Sequence, residues 1–86
     1  MHKIWHDEAW EECNYWITHD KKIYKRLYDI IKDIERHPFE GIGKPEPLKY
    51  ELSGWWSRRI TDSERIIYRI NGDKLEIMSC RYHYDK

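Results

Sequence analysis

Apolar residues recur at two different periods along this chain, and the change of period near its middle divides helices from strands. Lys3-Ile4-Trp5 reads as a short first strand. From Asp7 to Thr18, Ala9, Cys13, Trp16 and Ile17 fall on one helical face, and acidic residues suit the first turn. Ile23, Leu27, Ile30, Ile31 and Ile34 form a second stripe at helical spacing, with Asp20 as its N-cap and Pro38 as its stop. The segment from His37 to Pro47 is punctuated by Pro38, Gly41, Gly43, Pro45 and Pro47, so it is neither helix nor central strand. Period-two runs then predict strands over Leu48–Leu52, Trp55–Ile60, Arg65–Ile70 and Leu75–Tyr82. Ser53-Gly54 and Asn71-Gly72-Asp73 supply turns between them. The expected fold is α+β: a short N-terminal strand, two helices, then an antiparallel meander sheet packed against the helices.

Parity sharpens this into a register. Pairing Ile70 with Leu75 sets Tyr68 opposite Ile77 on the helix-covered face and Arg69 opposite Glu76 on the open one. Arg65 then shares the open face, and pairing Ile60 with Ile66 brings Trp55, Ser57 and Arg59 there too. Strict alternation sends His83 to the other side from Arg65 and Tyr82, unless a bulge or release of the strand near its end turns it back.

At 86 residues, the chain is expected to be one domain spanning 1–86, burying roughly 60–65% of its unfolded surface. Five tryptophans and seven tyrosines supply a core of few, bulky aromatics despite low mean hydropathy. Zero formal net charge argues against coating nucleic acid by bulk electrostatics. The charge is uneven, however: Asp7, Glu8, Glu11 and Glu12 face only Lys3 at the start, whereas Lys44, Lys49, Arg58, Arg59, Arg65 and Arg69 stand against Glu46, Glu51, Asp62 and Glu64 between residues 44 and 69. A local cationic face on a neutral protein suits a phosphate target that something else presents. Cys13 and Cys80 are far apart without a CxxC pattern and read as reduced thiols. No signal peptide or membrane-length apolar run is found, so a cytoplasmic protein is expected.

No plausible metal-ligand spacing occurs, and no cofactor or metal is expected. One carboxylate, several guanidiniums and an imidazole are what metal-free RNA cleavage needs, because the 2′-hydroxyl of RNA is its own nucleophile. Glu46, its backbone fixed by Pro45 and Pro47, is the candidate general base, with Glu40 and Glu51 as further carboxylates. His83 is the candidate acid, since imidazole titrates near neutrality. Arg59 and Arg65 suit bidentate grip of the scissile phosphate, Lys49 adds a cation, and Tyr84 can stack on a base or donate a hydrogen bond. The pattern alone equally fits a solvated loop glutamate and strand arginines that keep a sheet soluble.

The stretches Pro38-Phe39-Glu40-Gly41, Gly43-Lys44-Pro45-Glu46-Pro47-Leu48, Leu52-Ser53-Gly54, Trp56-Ser57-Arg58-Arg59-Ile60 and Arg81-Tyr82-His83-Tyr84 resemble the YoeB/Txe branch of the RelE-type toxins, as does Ile4-Trp5 with Trp10 and Trp16. The likeness runs from about residue 3 to residue 84. It implies a RelE- or microbial-ribonuclease-like sheet and an mRNA interferase toxin that acts at the A site of the 70S ribosome, leaving a 2′,3′-cyclic phosphate. A YefM-type antitoxin would hold it inactive, operator DNA would be bound only by the toxin–antitoxin complex, and a homodimer is a frequent state. By motif, the base falls on Glu46, phosphate binding on Lys49, Arg59 and Arg65, the acid on His83 and the adjacent aromatic on Tyr84. Two departures stand out: Asp85 and Lys86 follow the final tyrosine, and Trp55 occupies a place where phenylalanine is expected. The alternatives are a catalytically inactive relative that binds RNA or the ribosome, and an antitoxin-binding module acting in operator repression.

Overall fold

The computed structural model of the chain describes residues 1–83. Strand β1 (His2–Trp5) leads into helices α1 (Asp7–His19) and α2 (Lys21–Arg36). Strands β2 (Glu46–Pro47), β3 (Trp56–Arg59), β4 (Glu64–Asn71) and β5 (Lys74–His83) follow. They form one sheet in the order β1-β5-β4-β3-β2, with β1 parallel to β5 and the other pairings antiparallel. The β3-β4-β5 part of the meander is as expected, its first strand is not, and β1 adds a parallel edge. No helix of the described residues is long and apolar enough to cross a membrane.

Helix α2 begins where Asp20 accepts hydrogen bonds from the backbone of Lys22 and Ile23, at 3.1 and 3.2 Å. Its buried Leu27, Ile30, Ile31 and Ile34 join Ala9, Cys13 and Trp16 of α1 over Ile66, Tyr68, Leu75, Ile77 and Cys80 of the sheet. Both helices therefore cover one sheet face. Ile17 turns away from that core and stays 40% exposed, and Trp10 is 53% exposed, edge-on to Trp5. Burial pushes the Tyr68 phenol and the Cys80 thiol up, as expected of ionisable groups without water.

Two expectations need correction. Leu48–Leu52 is not a strand: only Glu46 and Pro47 pair with β3, and Tyr50–Leu52 forms a single 3-10 turn. Tyr50 takes φ +58°, which breaks extended backbone, and its apparent place in a period-two apolar run is misleading because it is 87% exposed. The β3–β4 register is also displaced by two residues. Arg59 pairs with Arg65 and Arg58 with Ile66, while Ile60 closes the turn by donating to the Glu64 carbonyl. Thr61 Oγ1 accepts from the amides of Ser63 and Glu64, tightening the connection. A two-residue slip preserves faces, so the predicted sidedness of Trp55, Ser57 and Arg59 survives. In the last hairpin, Tyr68 does face Ile77, Arg69 faces Glu76 and Ile70 faces Leu75.

Arg58 is fully buried on the helix-covered side and ties four segments together. Its Nη1 donates to Asp33 Oδ2 on α2 at 2.6 Å and to the Ile42 carbonyl at 3.2 Å. Nη2 donates to the carbonyls of His37 and Glu40, and Nε to the Tyr68 hydroxyl. All five guanidinium N–H groups are thereby used. Gly41, at φ +120°, passes so close that a Cβ there would overlap the Asp33 carboxylate. Arg58 holds the Asp33 carboxyl below its ordinary value, chiefly through their hydrogen bond.

Asp33→Asn should leave Arg58 buried without its counter-charge. With the Asp33 side chain 21% exposed, the loss is expected at the low end for a broken buried pair, about 3 kcal/mol. Because the folded pKa is depressed, this stability is complete above the ordinary aspartate value and is lost as pH falls through the folded one. Urea unfolding from neutral to acid pH should show a shallower acid decline in the variant than in the wild type; parallel declines would refute the assignment.

Candidate active site

The loop pinned by Arg58 delivers β2 to the sheet edge. Gly43, at φ +81°, lies against β3 and accepts from the Arg59 amide at 2.6 Å; a Cβ there would press on the Arg59 backbone. That contact leads the chain directly into Glu46, whose Cα pairs with Ser57. Ser57 and Arg59 are two apart on β3 and share the open face. Arg59 is paired with Arg65, and Arg65 with Tyr82, so these three form one row across the sheet. Arg65 is buried, whereas Arg59 is half-buried and Glu46 exposed.

Strand β5 reaches this region only after two irregularities. Tyr68 pairs with Ile77 but Ile67 with Ser79, and a second shift precedes the Arg65–Tyr82 pair. Beyond Ile77, β1 no longer flanks β5, and α1 takes over: Glu12 Oε1 accepts from the Cys80 amide at 2.7 Å and from Ser79 Oγ at 3.1 Å. Trp16 Nε1 donates to the Cys80 carbonyl at 2.9 Å. Side chains of a helix thus satisfy backbone groups that a strand would have paired, and the bulges become tolerable.

The two shifts cancel in parity. Tyr82 stays opposite Arg65 and His83 is opposite Glu64, its Nε2 3.4 Å from Glu64 Oε2. His83 nonetheless lines a cleft of about 600 Å³, together with Tyr82, Arg81, Ser79, Met78, and Lys49–Leu52 and the α1 carboxylates Glu8 and Glu12. Glu46 lines a separate hollow of about 300 Å³, and Lys49, Tyr50 and Leu52 border both. The Lys49–Leu52 turn therefore borders both the hollow that Glu46 lines and the cleft that His83 lines. Tyr84 lies outside the described residues.

Arg81, to which the residue pattern assigns no role, is a cleft residue. Its guanidinium stacks 3.9 Å from the Tyr15 ring centroid and 5.2 Å from that of Trp16. Its position in Arg81-Tyr82-His83-Tyr84 was the available signal; the bulge that turns it toward α1 was not readable. Glu12 likewise reads only as a surface acid until the unpaired Cys80 amide is seen.

Comparisons with known proteins agree along the whole chain. Residues 5–84 match the family described as YoeB-like toxin of bacterial type II toxin-antitoxin system. Toxin YoeB of Escherichia coli O6:H1 is 55% identical over 84 residues, covering 98% of this chain and 100% of that one. A YoeB/ParE toxin from Agrobacterium tumefaciens superposes with a TM-score of 0.94 at 41% identity, covering 98% and 100% of the two chains. YoeB of Staphylococcus aureus has been solved as a dimer, matching with a TM-score of 0.92 at 39% identity over 98% of each chain. It has also been solved in complex with YefM, with a TM-score of 0.91 at 38% identity and the same coverage.

Ser57 Oγ is buried on the open face beside Glu46 without a hydrogen-bond partner among the described residues. Removing such a hydroxyl relieves a desolvation penalty. Ser57→Ala should therefore leave the unfolding free energy unchanged or raise it by about 1 kcal/mol. A loss of comparable size in denaturant titration would mean the hydroxyl is hydrogen-bonded in solution.

Proposed function

The chain belongs to the YoeB-like toxins of bacterial type II toxin–antitoxin systems, and from that membership we propose that it is an endoribonuclease cutting mRNA in the ribosomal A site. The supporting observation is the open-face array: Arg59 opposite Arg65 and Arg65 opposite Tyr82, with Glu46 on the same face, while His83, the residue after Tyr82, pairs with Glu64 and lines the neighbouring cleft. Arg59 and Arg65, directly opposite on neighbouring strands, set two guanidiniums side by side as charge-assisted donors of the kind a phosphate accepts.

Glu46 removes the proton of the ribose 2′-hydroxyl. The 2′-oxygen attacks the adjacent phosphorus in line, the bond to the 5′-oxygen breaks, and His83 protonates that leaving oxygen. The products are a 2′,3′-cyclic phosphate and a free 5′-hydroxyl. Arg59, Arg65 and Lys49 hold and neutralise the phosphoryl oxygens, and Tyr84 stacks on a neighbouring base. Base and acid each contribute on the order of 10²–10⁴-fold, and one preorganised charge donor about 10²–10³-fold.

Zero net charge leaves substrate delivery to the 70S ribosome, because the protein has no bulk field with which to gather RNA. Since YoeB of Staphylococcus aureus is known as a dimer and with YefM, a YefM-type antitoxin and a homodimer are the protein partners proposed here. Operator DNA is then bound by the toxin–antitoxin complex alone.

Purified 70S ribosomes carrying a defined mRNA should be cut in the A-site codon by the wild type. Glu46→Ala and His83→Ala should each lower the single-turnover rate by at least about 10²-fold. A folded wild type that leaves the mRNA intact would overturn the ribonuclease reading. Across pH the rate should be bell-shaped, because the mechanism needs one group in its basic form and another in its acidic form at once. A flat single-turnover profile would remove these two residues from those roles.

A further inference from the structure

Trp55, found where the resemblance leads one to expect phenylalanine, is nearly buried at the end of the loop that borders the cleft. The Arg69 guanidinium lies 4.4 Å from its ring centroid, and the His6 ring meets it edge-on at 5.6 Å. Glu76 joins those two groups: Oε1 accepts from Arg69 Nε at 2.8 Å, and Oε2 lies 2.7 Å from His6 Nε2. Arg69 and Glu76 stand directly opposite each other on β4 and β5, and the His6 amide donates to the Ile77 carbonyl. The cluster is therefore mounted on the sheet, not on another loop.

Trp55 transmits that anchorage to the cleft. Its carbonyl accepts from the Leu48 amide at 2.9 Å and its amide donates to the Leu52 carbonyl at 3.0 Å. The short loop so closed contains Lys49, Tyr50 at φ +58° and Gly54 at φ +95°. A tyrosine in the left-handed region is disfavoured, and at 87% exposure Tyr50 has little contact of its own to hold it there. An outside constraint is required, and the Trp55 cluster supplies one.

We propose that Trp55, Arg69, Glu76 and His6 form a clamp that positions the Lys49–Leu52 turn, and through it Lys49, for the phosphate substrate. The assignment of a phosphate substrate rests on the ribonuclease reading above. Arg69 is a positioning residue in this scheme, and an indole suits the clamp better than a phenyl ring because its π-face attracts a cation more strongly.

Two measurements on the full chain test it. Arg69→Met keeps the apolar stem of a side chain that is 42% exposed, so folding is retained. Amide hydrogen exchange at Leu52 and Ser53, which donate to Lys49 and Tyr50, should quicken roughly three- to tenfold while the β4 amides are unchanged. Trp55→Phe should keep most of the protection. Unchanged exchange at Leu52 and Ser53 in Arg69→Met would overturn the clamp. The second measurement is a double-mutant cycle in single-turnover cleavage. If Arg69 acts through Lys49, Arg69→Met combined with Lys49→Met should be no slower than Lys49→Met alone, within about twofold. Multiplicative losses would overturn positioning through Lys49. Should the wild type not cleave, the ribonuclease reading fails by itself, and the exchange data decide whether the clamp holds the turn.

Discussion

The buried Arg58–Asp33 pair is the contact on which the other arrangements rest. A guanidinium removed from water is tolerated only when its charge is matched and its N–H groups are all bonded, and both conditions hold here. The partners are a carboxylate on α2, a phenol on β4 and three carbonyls of the loop after α2. Remove the pair and that loop loses the three carbonyl contacts to Arg58 that help fold it back on the sheet. The loop's return lets Gly43 touch β3 and starts β2 at Glu46, so the placement of the candidate base depends on a charge pair on the opposite face. Tyr68 completes the knot by donating to the Pro38 carbonyl at 2.7 Å.

A second constraint shapes the other end of the site. Strand β1 is short, and β5 outruns it by several residues. An unpaired strand end has open hydrogen-bonding groups, and α1 meets them with Glu12 and Trp16. The same substitution of helix for strand permits two shifts in register, which place Arg81 against Tyr15 and carry His83 to the cleft. Acidic residues of α1 consequently line a cleft to which Lys49 and Arg81 contribute cations and Glu51 a further carboxylate. The cleft therefore carries a patterned field and not a uniform basic surface, in keeping with a protein of zero net charge.

Between these two ends lies the Lys49–Leu52 turn, which borders both hollows. Its backbone carries the unfavourable φ of Tyr50, and Trp55, bonded through its backbone to Leu48 and Leu52, links the turn to the Arg69 cluster. The buried knot, the helix-capped strand end and the aromatic clamp each fix one wall, and each uses charge that is compensated locally.

The sequence by itself determined the class of fold, the two helices, the strand order of the meander, and which face Tyr68, Arg65, Arg59 and Trp55 would take. Those features follow from periodicity, caps and parity, all of which are local. The motifs around Glu46 and His83 also revealed the family. Only the tertiary structure decided that Leu48–Leu52 is a turn, that β3 and β4 pair two residues away from the simplest register, and that Arg58 is buried while Arg59 is open. It also decided how Arg81 and His83 reach the cleft. These outcomes depend on long-range partners: Asp33 for Arg58, the Thr61 turn for the β3–β4 register, and Glu12 for the bulged strand. No local pattern encodes such partners, because a carboxylate far along the chain is indistinguishable from a solvated one until the fold brings it to its donor.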